Sequence, residues 1–192
     1  MMFIGKFKNN KPFPDKLLWN RGDQITYDQV SSVCVNDRIK VYFWGVLYNR
    51  KSAVHVEGLS DAAIVAQMYE RSGSSAFSCL DGSFTFVVSD SEQIIIVRDH
   101  HGTNKPVYYT NFFFASSLAL LQETDGFITE PDCRALSDFL YIGYISTPSS
   151  SLKGVNKLGA GEMLVYRDGQ SVVRQLYLTD DILPAQNDKS LD

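Results

Sequence analysis

The side chains able to do covalent or metal chemistry are few in this sequence, and their spacing limits what they could do. Cys34, Cys79 and Cys133 stand 45 and 54 residues apart, form no Cys-x-x-Cys pair, and leave an odd thiol whatever is bridged. That pattern fits a reduced, cytosolic setting, and each cysteine reads as a small buried hydrophobe rather than a nucleophile. His100 and His101 are adjacent, so in an extended segment they point to opposite faces and cannot share a metal; with Gly102 they mark a corner, and no metal is assigned. Asp61 follows Ser60 at the start of a helical pattern, where the helix dipole stabilises a carboxylate with or without a ligand. Arg21-Gly22-Asp23 matches an adhesion tripeptide by its letters alone, and no Ser-Gly-Gly-x-Asp-Ser pyrophosphate loop is present.

The elements that must position these groups can be read from periodicity. Ile39 to Leu47 is a β-branched and aromatic run that reads as a strand buried on both faces. Ser60 as N-cap, Ile64, Val65 and Met68 at helical spacing, and Gly73 as C-cap predict a helix over 61–72. Ser83 to Ser89 and Gln93 to Val97 flank a short polar loop and predict a hairpin. Lys105 to Thr110 and Phe112 to Ser116 predict a second hairpin, behind the Arg98-to-Gly102 corner. A helix is expected from about Pro131, with Leu136, Phe139 and Leu140 on one face. The last hairpin, Glu162–Tyr166 with Ser171–Tyr177, turns through Asp168-Gly169. Hairpins mixed with two helices imply antiparallel sheets covered by helices, an α+β layered fold.

With 192 residues, 44 % of them apolar, the chain reads as one globular domain over 1–179 and a polar, Pro184-containing linker over 180–192. A net charge of -4, a pI near 5.3 and no Lys/Arg block leave no electrostatic footprint for nucleic acid. The first ten residues lack the unbroken apolar stretch of a signal peptide, and no later run approaches the roughly 18 apolar residues of a membrane span.

Several segments, taken in order, resemble the glutaminase domain of asparagine synthetases. They are Leu80-Asp81-Gly82-Ser83-Phe84, Val97-Arg98-Asp99-His100-His101-Gly102, Lys105-Pro106-Val107-Tyr108-Tyr109 and Phe114-Ala115-Ser116-Ser117. Tyr141 to Ile145 and Leu152 to Glu162 look like that domain's closing "GYVP … IKKLPPG" stretch. Gly45 to Asn49 resembles its "NGEIYN" strand end, and Arg21-Gly22-Asp23 echoes "RGPD". The resemblance implies the four-layer αββα sandwich of N-terminal-nucleophile hydrolases.

In that family the second residue is a cysteine whose thiolate attacks glutamine while an oxyanion hole holds the intermediate. Here Met2 stands at the nucleophile's position and Phe3 at the following glycine's. Trp44 replaces the oxyanion-hole asparagine, and the "RLSI" arginine has no counterpart near Ser31 to Val35. Only Gly45 and Asp61 remain, the aspartate being the family's contact to the substrate amino group. The expected catalytic set is therefore empty, and Trp44, Gly45 and Asp61 form an expected vestigial pocket. This departure resembles β-lactam synthetases, carbapenam synthetases and lasso-peptide cyclases. The implied role is a non-hydrolysing domain supporting an ATP-dependent, amide-forming synthetase domain, in cis or in trans, with a homodimer as a further expected assembly. ATP and magnesium belong to that partner, and no cofactor is expected here. The alternatives are an active domain supplying ammonia for asparagine formation through a displaced thiol, and a free-standing interaction module.

Overall fold

A computed structural model describes residues 2–7, 20–21, 25–36, 38–50, 58–124, 127 and 129–177. The expected linker, Gly22 and Asp23 lie outside the described residues. The chain runs β1 (Phe3–Lys6), β2 (Asn20–Arg21), β3 (Ile25–Tyr27), β4 (Ser32–Val35), β5 (Lys40–Leu47), α1 (Asp61–Ser72), a 3₁₀ helix (Gly73–Cys79), β6 (Gly82–Ser89) and β7 (Gln93–Arg98). It continues β8 (Tyr108–Tyr109), β9 (Phe113–Ala115), α2 (Leu118–Gln122), α3 (Cys133–Ile142), β10 (Asn156–Lys157), β11 (Glu162–Arg167) and β12 (Gln170–Gln175).

The strands make two antiparallel six-stranded sheets, ordered β10-β8-β9-β1-β3-β2 and β12-β11-β7-β6-β5-β4. Alternation along each strand sends neighbouring side chains to opposite faces, and both faces are apolar. In β5, Val41 and Phe43 join Phe84, Phe86 and Val88 of β6 beneath Ile64, Val65 and Met68 of α1. Tyr42 and Trp44 point the other way, into a second cluster with Ile96 and Leu164 of their own sheet and Phe3, Ile25 and Phe114 of the facing sheet. A third cluster, with Ile4, Phe113 and Ala115, covers the far face of that sheet under Leu120 and Leu121 of α2. The layers are therefore helix, sheet, sheet, helix.

Helix α1 has the predicted bounds. Ser60 caps it by accepting the Ala63 N–H at 3.3 Å, and Gly73 closes it. The β6–β7 hairpin and the Asp168-Gly169 turn are as predicted, the turn residues having φ of 52° and 85°. Other expectations need correction. The strand expected over Lys105 to Thr110 is confined to Tyr108–Tyr109, because Pro106 has no N–H and the Lys105 carbonyl accepts the Thr85 hydroxyl at 2.9 Å. Pro131 lies outside α3; Asp132 is the N-cap, accepting from the Arg134 and Ala135 N–H groups at 3.0 and 3.1 Å. Nor does the predicted apolar face of α3 pack into the core: Phe139 is 49 %, Leu140 85 % and Tyr141 91 % exposed, and only Ala135 is buried. Cys79 and Cys133 are exposed rather than buried, while Cys34 is half-buried against the cluster under α1; all three are free. His100 and His101 occupy a turn, so their rings stack on each other, centroids 5.4 Å apart, instead of diverging.

That turn is organised by the fully buried Asp99. Its Oδ1 accepts the N–H groups of His101 (3.0 Å) and Thr103 (3.1 Å) and the Thr103 hydroxyl (3.2 Å). Oδ2 accepts the N–H groups of Asn104 (3.1 Å) and Phe84 (3.3 Å). Its backbone carbonyl takes the N–H groups of Gly102 (3.0 Å) and Gly161 (2.8 Å), which ties the corner to the start of β11. Asp99→Ala would take the side-chain acceptor from the N–H groups of Phe84, His101, Thr103 and Asn104, and a loss of about 3 kcal/mol is expected in denaturant unfolding.

Two buried phenols respond to alkali. Burial, reinforced by the hydrogen bond to Asp90, pushes the Tyr69 phenol up to about 12. Burial, with Asp99 nearby, raises Tyr177, whose hydroxyl donates to the Leu80 carbonyl at 2.9 Å. Both stay protonated in the fold at a pH where the unfolded chain ionises, so their stabilisation is complete below about pH 10 and is lost as pH rises above it. Unfolding midpoints measured across that range should fall, and Tyr69→Phe should reduce the slope.

Candidate functional site

The end of β5 positions the residues expected to matter. Trp44 is fully buried and stacks on Phe3, ring centroids 4.2 Å apart at 26°. Tyr27 meets it edge-on at 6.5 Å. Its indole N–H donates to the Gln29 carbonyl at 2.7 Å, so that donor is committed within the chain. Gly45 follows with φ of 117°, and a Cβ there would overlap the Ser83 carbonyl oxygen. Only glycine fits this close approach of β5 to β6. The Gly45 N–H donates to the Ser31 hydroxyl at 2.9 Å.

Asp61 sits at the first position of α1 and is 4 % exposed. Its Oδ1 lies 2.7 Å from Arg50 Nε, and its Oδ2 accepts the Leu47 N–H at 3.4 Å. It serves the α1 side of its sheet, whereas Trp44 fills the space between the sheets. Gly45 lies between them along the strand; Trp44 and Asp61 belong to different layers.

Met2 precedes β1 and is 42 % exposed. Its backbone nitrogen donates to Asp28 Oδ1, and its carbonyl accepts the Asp28 N–H at 3.1 Å. Burial alone would raise the Asp28 carboxyl, but the N–H groups of Met2 and Gln29 outweigh it and hold the group below its ordinary value. Met2, Asp28, Gln29 and Trp44 thus form a continuous hydrogen-bonded path. Sequence reasoning missed Asp28, Ser31 and Arg50 because each acts on a residue at least 11 positions away and belongs to no local motif.

Two sheets face to face between helical layers, opened by a central β1, define the architecture of the N-terminal-nucleophile hydrolases. The chain belongs to the Glutamine amidotransferase domain family, which it matches over residues 21–177, and it is of the class II type related to the glutaminase domain of asparagine synthetases. It is 29 % identical over 118 residues to asparagine synthetase [glutamine-hydrolyzing] 2 of Arabidopsis thaliana, covering 57 % of this chain and 20 % of that protein. It therefore spans about a fifth of that relative's length. Among solved structures, a glutamine aminotransferase class-II domain protein from Silicibacter pomeroyi superposes with a TM-score of 0.55 at 10 % identity, over 91 % of this chain and 98 % of the other. Glutamine phosphoribosylpyrophosphate amidotransferase from B. subtilis superposes with a TM-score of 0.52 at 14 % identity, over 91 % and 42 %.

Truncating a buried aromatic that joins two sheets removes contacts on every side. Trp44→Ala should destabilise the domain by about 3–5 kcal/mol, read as a lower denaturant midpoint. Trp44→Phe should cost less, because a ring remains to stack on Phe3 while the rest of the indole's volume and the hydrogen bond to Gln29 are lost.

Proposed function

We propose that this domain does not hydrolyse glutamine and instead supports an ATP-dependent, amide-forming synthetase, in cis or in trans, in a cytosolic setting. The observation carrying this reading is chemical: the side chain at the family's nucleophile position, Met2, is a thioether, which has no proton to lose and forms no thiolate. Its backbone nitrogen is engaged with Asp28 Oδ1. Around it, the two other elements of a glutaminase site are spoken for: Trp44 donates to Gln29 and Gly45 to Ser31. Oxyanion stabilisation needs donors aimed at the developing charge, and losing one such donor costs about 3 kcal/mol.

Asp61 keeps the family's carboxylate but holds Arg50 and the Leu47 N–H, so its role in this reading is to fix α1 against β5. ATP and magnesium are assigned to the synthetase partner. Such a partner would join an amine already present in its substrate to an activated carboxylate, without ammonia.

The complete protein incubated with glutamine should release no glutamate above a protein-free control. A glutamine-mimicking electrophile should leave the intact mass unchanged. Glutamine-dependent glutamate release, abolished by Cys34→Ser or by alkylation, would establish the alternative of an active domain working through a displaced thiol.

A further inference from the structure

A cleft of about 570 Å³ opens between the corner after β7 and the segment that follows α3. Arg98, His101, Asn104, Tyr144, Thr147 and Lys157 contribute to its walls, and no aspartate or glutamate does. That composition stands out in a chain whose net charge is -4. We propose that this cleft binds a small oxyanion, a carboxylate or phosphate group, between Arg98 and Lys157.

The Arg98 guanidinium is 94 % buried and held in place by its own chain: Nη1 donates to the Leu158 carbonyl at 2.7 Å and Nη2 to the Gly102 carbonyl at 2.8 Å. Its third nitrogen, Nε, is buried without a hydrogen-bond partner, so the guanidinium that helps line the cleft keeps unmet donor capacity. The two nearby carboxylates are committed elsewhere. Asp99 holds the N–H groups of its own turn, and Glu162 accepts the Gly159 N–H at 2.6 Å, so neither makes an ion pair with Arg98.

Lys157 is fixed at the rim by β10, whose Lys157 N–H donates to the Pro148 carbonyl at 2.8 Å. Among the described residues its ammonium has no ion-pair partner, and the hydroxyls of Tyr144 and Thr147 have no hydrogen bond. Two cations, one orphaned N–H and free hydroxyls around a space of ligand size are the components of an oxyanion site. The inference is independent of whether the domain hydrolyses glutamine, since none of these residues belongs to the site described above.

The test is titration of the full chain with inorganic phosphate and, separately, with acetate, each against chloride at equal ionic strength, followed by amide chemical shifts. Saturable shifts centred on His101, Thr147 and Lys157 are expected with at least one of the two anions; which one saturates identifies the group recognised. Lys157→Ala should weaken binding about tenfold, Lys157→Arg should retain it, and Lys153→Ala, whose lysine pairs with Glu130 outside the cleft, should leave it unchanged. Unfolding midpoints of the variants confirm that each is folded. Shifts no larger than those with chloride, or binding indifferent to Lys157→Ala, would overturn the proposal.

Discussion

One buried carboxylate holds the frame together. Asp99 lies where β7 ends, and its carboxylate oxygens collect N–H groups from Phe84 of β6 and from His101, Thr103 and Asn104, while its carbonyl reaches the turn before β11. A buried carboxylate is costly unless hydrogen-bonded, and here the ligands are backbone donors that would otherwise be orphaned by a chain reversal. The same corner places Arg98 inward, where burial draws its charge below the ordinary guanidinium range while Asp99, Tyr108 and Glu162 oppose the shift. Three strands, a cationic cleft and the stacked histidines all take their positions from that side chain's bonding.

Two strands away at the same end of this sheet, where Trp44 and Gly45 pair with Thr85 and Phe84, aromatic side chains close the space between the sheets. The position after Met2 carries Phe3, which is buried between the sheets, and Trp44 rises from β5 to stack on it. Large aromatic surfaces removed from water at this junction stabilise the packing of the two sheets. The polar groups here bond within the chain, the indole to Gln29, the Gly45 N–H to Ser31 and Asp61 Oδ2 to the Leu47 N–H, while Asp61 Oδ1 lies beside Arg50 Nε without a hydrogen bond.

Much of the layer carrying β5, α1, β6, β7 and β11 was legible in the sequence, because its strands are long, apolar on both faces, and punctuated by Ser60, Gly73 and Asp168-Gly169. The other sheet was largely hidden. β1, β3, β8, β9 and β10 are two to four residues long and are defined by partners distant in sequence, as when Ile4 pairs with both Thr26 and Ala115. Periodicity does reveal that α3 has an apolar face, but it does not reveal whether this chain covers it, and Leu140 and Tyr141 remain in water. At the site, residue types at Met2, Trp44, Gly45 and Asp61 were readable directly, whereas their hydrogen-bond partners depended on which loops the fold brings to the end of β5.

Trp44 is also the only tryptophan among the described residues, the other, Trp19, lying outside them. An indole sealed between two sheets, with its N–H on a carbonyl and a phenyl ring against its face, emits at shorter wavelength than one in water. With Trp19 replaced by phenylalanine, the domain carries a single tryptophan, at the seam of its two sheets. Its emission then reports when the sheets part, separately from the melting of either helical layer.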